Sequence, residues 1–114
     1  MIIFNIFMTE AARITERFLR RVQAAGIPVS LAYLFGSHAK GGATGVSDID
    51  VCIVSPVFGV DPIGEMVKLR KIALTIDSRI EPIALSEEGF SNRYSTLTSE
   101  IKRYGRPIAI ASGF

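Results

Sequence analysis

Two short apolar runs, Pro28–Phe35 and Asp48–Val54, flank a segment of glycines and small polar residues that begins Gly36-Ser37-His38-Ala39-Lys40-Gly41 and ends at Ser47. This arrangement constrains the fold more than any other feature of the chain. Each run is too short for a packed helix yet long enough for a buried strand, and the second is rich in β-branched residues. Gly36-Ser37 breaks the first run, and Ser55-Pro56 stops the second. The two strands are joined by a pliable connection with an Asp-x-Asp pair, Asp48 and Asp50, at its far end.

The other elements can be read around this pair. From Thr9 to Ala25, Ile14, Phe18, Leu19 and Val22 gather on one helical face. Thr9 is placed to cap that helix, and Gly26 with Pro28 ends it. Asp61-Pro62 reads as an N-cap followed by proline in the first turn, opening a helix whose Met66, Leu69, Ala73 and Ile76 share a face. Arg79 to Leu85 is a third strand, in which Pro82 argues for an edge or bulged position. Ser86 to Arg93 reads as polar loop. Leu97, Ile101 and Tyr104 mark a last helix with Tyr104 in the core, closed by Gly105, and Ile108 to Ile110 reads as a short extra strand.

This order predicts an α/β (α+β) fold, a mixed sheet flanked by helices. If Gly36-Ser37 and Asp48-x-Asp50 share a site, the end of the first strand meets the start of the second. Those strands then run antiparallel. Glu81 joins the same site only if the third strand runs parallel to the second, and the helix after Asp61 supplies the crossover. No repeat or linker divides the chain, so residues 1–114 read as one domain.

A domain of 114 residues buries about two thirds of its unfolded surface. An apolar fraction of 48% suits that core, and a net charge of +2 gives no ground for a nucleic-acid partner. Cys52 is the single cysteine, so a reduced, cytoplasmic setting is the default and core packing its expected role. Met1–Met8 is apolar but too short to span a bilayer, and it lacks the flanks of a signal peptide. It reads as a strand or packed arm, or as an extension upstream of a natural start at Met8; Thr9 as a cap favours the second.

Two aspartates two apart in a strand leave the same face, with roughly 6.6–6.8 Å between them along the chain. Crowded carboxylates repel, so one tends to keep a proton unless a cation sits between them. A pair of Mg²⁺ ions about 3.5–4 Å apart removes that conflict and clamps both oxygens of an in-line displacement at phosphorus. An isolated Asp-x-Asp is more often the end of a turn. Here the preceding Gly36-Ser37 shifts the balance: glycine admits close approach of a ligand, while Ser37 offers a hydroxyl and unpaired amides suited to phosphate. Lys40 can add positive charge. Neither a P-loop nor a dinucleotide fingerprint is present.

Read together, Gly36-Ser37-His38-Ala39-Lys40-Gly41-x-Ala43-x-x-x-Ser47-Asp48-Ile49-Asp50-Val51 resembles the signature of the DNA polymerase β-like nucleotidyltransferase superfamily, in particular its minimal single-domain prokaryotic branch. The resemblance runs from Leu31 to about Leu85. It implies Mg²⁺-dependent transfer of a nucleoside monophosphate, AMP from ATP, with release of pyrophosphate. It places metal-ligand roles on Asp48 and Asp50 and nucleotide-phosphate contacts on Gly36 and Ser37. The third acid of the family matches Glu81, which would hold one metal and help to deprotonate the attacking hydroxyl; Asp77 is the rival. The chain departs from the family in carrying Lys40 where Arg is frequent and Glu81 where Asp is commoner. Minimal members resemble the antitoxin half of two-gene modules, which implies a HEPN-domain toxin partner whose tyrosine receives AMP.

Other residues have plainer readings. His38 is expected to be an exposed bystander near the phosphates. Arg13, Arg17, Arg20 and Arg21 read as a solvated helix face rather than a binding surface. The apolar tail from Ile108 to Phe114 could dock on a partner or a second copy. Two functions compete with the transferase: a non-catalytic module that blocks a toxin sterically, and a small-molecule (aminoglycoside-like) nucleotidyltransferase. Clustered carboxylates disfavour the first, and the lack of room for an acceptor domain disfavours the second.

Overall fold

The computed structural model describes residues 9–110. The readings of Met1–Met8 and of the last residues of the tail lie outside this range. Helix α1 (Glu10–Ala24) is capped by Thr9, whose side chain accepts the Ala12 N–H at 3.1 Å. Strand β1 (Leu31–Phe35), the single turn α2 (Ser37–Lys40) and strand β2 (Ile49–Val54) follow. Helix α3 (Pro62–Leu74) starts at the expected cap: Asp61 accepts from Gly64 N–H, and Glu65 returns to the amides of Gly59, Val60 and Asp61. Strand β3 (Ile80–Leu85), the turn α4 (Glu87–Phe90), helix α5 (Thr96–Tyr104) and the short strand β4 (Arg106–Pro107) complete the order.

The sheet order is β3-β2-β1-β4, with β1 antiparallel to β2 and to β4, and β2 parallel to β3. The mixed sheet and both expected strand directions are therefore present. Alternation along the strands builds two cores. Ala32, Leu34, Ile49, Val51, Ile53 and Ile80 face α1 and α3, where they meet Phe18, Val22, Leu69 and Ala73. Phe35, Cys52 and Val54 face the other way, onto Phe90 and Ile101. Helices thus cover both faces, which explains why β2 carries apolar residues at successive positions rather than alternating ones.

Pro82 lies on an edge strand, as its missing N–H requires. The carbonyls of Arg79 and Leu85 accept from Ile49 and Ser55, so residues 80, 82 and 84 turn their backbone groups outward. Proline falls at one of those outward positions. At the next, the Ala84 N–H meets Met66 Sδ at 3.1 Å. Met66 is therefore not on the buried face of α3 as its spacing suggests; it covers the open edge and remains exposed.

Three further expectations change. Ser86–Arg93 is not all loop: Ser86 caps the one-turn α4, and Phe90 is buried and stacks on Tyr33 with 5.5 Å between ring centroids. One turn is too short to show a helical period. Tyr104 is exposed rather than core, because Ile101 alone fills the inner face of α5 near its end. Pairing with β1 occurs at Arg106–Pro107 instead of Ile108–Ile110, although Ile108 N–H still reaches Ala32 C=O at 2.9 Å. The arginines of α1 lie on its exposed face. No helix among the described residues is long and apolar enough to cross a membrane.

Phe18 is fully buried where α1 meets the sheet. Phe18→Ala is expected to lower unfolding free energy by about 3–5 kcal/mol in urea titrations, since little can collapse into the space.

Candidate active site

The antiparallel register sets Phe35 opposite Asp50, so the end of β1 meets the start of β2. Gly36 follows with φ 70° and ψ −148°, a region that side-chain-bearing residues rarely adopt. A Cβ built on Gly36 would run into Asp50 Oδ2 and lie 3.2 Å from Asp50 Cγ. A bare α-carbon is what lets that carboxylate sit against the turn. The Gly36 carbonyl then accepts the N–H groups of Ala39 and Lys40, both at 3.1 Å, and closes α2. Amides at the front of such a turn have no partner within it.

The connection to β2 is held from several sides. Ser47 Oγ accepts the Thr44 N–H at 2.9 Å, and Arg79 Nη1 donates to the Gly45 carbonyl at 2.8 Å. His38 Nε2 lies 3.4 Å from the Ser47 carbonyl. Asp48 follows this turn and leads into a strand, so it caps no helix. It is exposed, whereas Asp50 is half-buried. No ion pair among the described residues holds either carboxylate.

Strand β3 lies parallel to β2 with Glu81 opposite Asp50. The Asp50 carboxyl is held above its ordinary range, first by burial and then by repulsion from Asp48 and Glu81, with His38 acting in the opposite sense. These are the conditions that a bound cation relieves. In donor chemistry the set fits a hard divalent ion, which takes carboxylate oxygens together with phosphate and water. Glu81 is turned to Arg70, with Glu81 Oε1 2.9 Å from Arg70 Nη1, and among the described residues no three acids converge into a ready-made metal cage.

Lys40 is also engaged. Its ammonium contacts Glu100 at 2.7 Å and lies 4.9 Å from the centre of the Tyr104 ring. That hydrogen bond and the charge of Glu100 hold Lys40 above the ordinary lysine range. His38 is half-buried rather than exposed, near enough to Asp50 to favour its ionised form. Asp77, the rival third acid, is bound by Arg79 through Oδ1 at 3.0 Å and Oδ2 at 2.9 Å, which holds its carboxyl below the usual range. Cys52 is buried, and burial pushes its thiol up to about 12. It packs the core, as expected. The sequence pattern does not point to Arg70, Arg79 or Glu100, because Glu81, Lys40 and, for Arg79, Glu10 and Gly45 lie across gaps in the chain that periodicity does not span.

With this geometry established, residues 13–103 match the nucleotidyltransferase domain family, so most of the chain is covered by it. The chain belongs to that family. No curated protein sequence matches it. Similar solved structures include a Sulfolobus solfataricus protein assigned as a nucleotidyltransferase, at 20% identity and TM-score 0.55, covering 72% of this chain and 79% of that one. A toxin–antitoxin structure with AMP-PNP aligns at 23% identity and TM-score 0.61, covering 85% of this chain and 74% of that one. A doubly substituted toxin–antitoxin MntA–HpeT structure aligns at 19% identity and TM-score 0.59, covering 84% and 72%. At these identities the likeness shows the fold.

Gly36→Ala is expected to cost roughly 1–3 kcal/mol from backbone strain alone, with the displaced Asp50 carboxylate adding to it. Gly42, where a Cβ meets nothing within 4 Å, is the control: Gly42→Ala should stay within about 0.5 kcal/mol in the same denaturation assay.

Proposed function

We propose that this protein is a Mg²⁺-dependent nucleotidyltransferase that moves AMP from ATP to a hydroxyl of a protein partner, a tyrosine of a HEPN-type toxin, and so serves as an antitoxin. The observation that carries this reading is the placement of Asp50. It is half-buried, lies against the bare α-carbon of Gly36, and sits in register with Glu81 on the neighbouring strand. Membership of the nucleotidyltransferase family supports the transfer of a nucleotidyl group. The partner and nucleotide are supported by the toxin–antitoxin neighbours, one of which holds AMP-PNP. Another carries Asp→Glu changes at two positions two apart, the spacing of Asp48 and Asp50 here.

In this reading Asp48 and Asp50 hold the metal, with Glu81 as the third ligand. When bound, the metal neutralises phosphate charge and stabilises the oxygens that enter and leave. The amides at the front of α2 and the Ser37 hydroxyl grip the leaving pyrophosphate oxygens, and Gly36 lets the Asp50 carboxylate sit beside them. Lys40 exchanges Glu100 for phosphate. Glu81, placed one strand further from the Gly36-Ser37 turn than Asp50, accepts the proton of the attacking hydroxyl.

A second reading has one observation in its favour. Both Glu81 and Lys40 are tied in ion pairs, as a chain that blocks its partner without chemistry could leave them. Both pairs are exposed, and ion pairs open to water are weak enough for a ligand to exchange.

Labelled ATP, Mg²⁺ and the co-purifying partner separate the two. The parent chain is expected to label the partner, and Asp50→Asn to reduce labelling to background while still binding the partner. Undiminished labelling by Asp50→Asn overturns the assigned site. No labelling by the parent, with tight partner binding, favours the steric module.

A further inference from the structure

We propose that Arg70 is a positioning residue that withholds Glu81 from Asp48 and Asp50 and yields it when a divalent cation arrives. The inference rests on the metal-dependent reading above. Glu81, Ile83 and Leu85 alternate onto the sheet face that carries Asp50 and Cys52, since Ile83 and Leu85 pack against the second core. Arg70 comes from α3, whose Leu69 and Ala73 pack on the opposite face. Its guanidinium therefore reaches Glu81 around the open edge of β3.

The anchoring explains how one residue can hold and release. Arg70 Nη1 donates to the outward carbonyl of Ile80 at 2.9 Å and meets Glu81 Oε1 at 2.9 Å. The bond to Ile80 does not depend on Glu81, so the guanidinium keeps its seat when the carboxylate leaves. The two side chains are 42% and 45% exposed, and ion pairs open to water are weak. A divalent ion already held by Asp48 and Asp50 offers Glu81 a stronger partner. A cavity of about 320 Å³ opens on the Arg70 side of the pair, lined by Met66, Val67, Arg70, Lys71, Glu81 and Pro82, so the guanidinium is not packed against Glu81 from behind. By contrast, the rival acid Asp77 is held by Arg79 through two oxygens and is less exposed. Arg70 restrains the acid that moves, and Arg79 fixes the one that does not.

The test is calorimetric titration of the whole chain with Mn²⁺ alone. Arg70→Gln is expected to bind Mn²⁺ about two- to fivefold more tightly than the parent, the range an exposed ion pair allows. Arg70→Lys, which keeps the charge but loses the planar fork, should shift affinity in the same direction by less. Lys71→Gln removes an equal charge from the same cavity and should leave the affinity unchanged. In a Glu81→Gln background, Arg70→Gln should have no effect. Unchanged or weaker binding by Arg70→Gln, or an equal gain from Lys71→Gln, overturns the role of Arg70. Asp50→Asn keeps the two claims apart. If it weakens Mn²⁺ binding while Arg70→Gln changes nothing, the metal site stands and the restraint falls. If it leaves Mn²⁺ binding intact, the metal site itself falls.

Discussion

Strand β2 is hydrogen-bonded on both edges and covered on both faces, and the rest of the molecule is arranged around that burial. Ile49, Val51 and Ile53 are sealed beneath α1 and α3, while Cys52 and Val54 are sealed beneath Phe90 and Ile101. A strand so enclosed cannot slip by one residue without turning each side chain to the wrong core. The position of Asp50 follows from this. It is the point on β2 where the second core ends, so a carboxylate can reach water while its backbone stays locked in the sheet. Gly36 contributes the missing bulk across from it.

The two neighbours of β2 then divide the site. On one side β1 ends in the Gly36-Ser37 turn, against which the Asp50 carboxylate sits. On the other, β3 brings Glu81 into register, and its outer edge is protected by three different means: proline at residue 82, the Met66 sulfur at Ala84, and the Arg70 guanidinium at Ile80. An unprotected edge invites pairing with other chains. The Arg70 nitrogen that blocks the edge also holds Glu81. Lys40 has a similar double attachment to Glu100 and Tyr104. In this structure Lys40 and Glu81 are each balanced by a charged partner.

Much of this architecture was legible in the chain. Local chemistry declared Thr9 and Asp61 as caps, Pro82 as an edge residue and the glycine-lined connection as a turn, and strand directions followed from asking Gly36, Asp48, Asp50 and Glu81 to meet. What escaped was what depends on non-local packing. Met66 has the spacing of a core residue yet covers an edge, and Tyr104 has the spacing of a core residue yet lies over an ammonium group. The turn that carries Phe90 is too brief to show a period, although it fills much of the second core.

Taken alone, the sequence determined the longer helices and strands and the family motif, because caps, turns and residue spacing act over a few neighbouring positions. The tertiary structure decided which charges meet. Arg70 finds Glu81, Lys40 finds Glu100, and Arg79 gathers Glu10 and Gly45, each across a separation that only the packed layers close. Ion pairing depends on distances of a few ångströms between side chains far apart in the chain, and such distances exist only once the layers have docked.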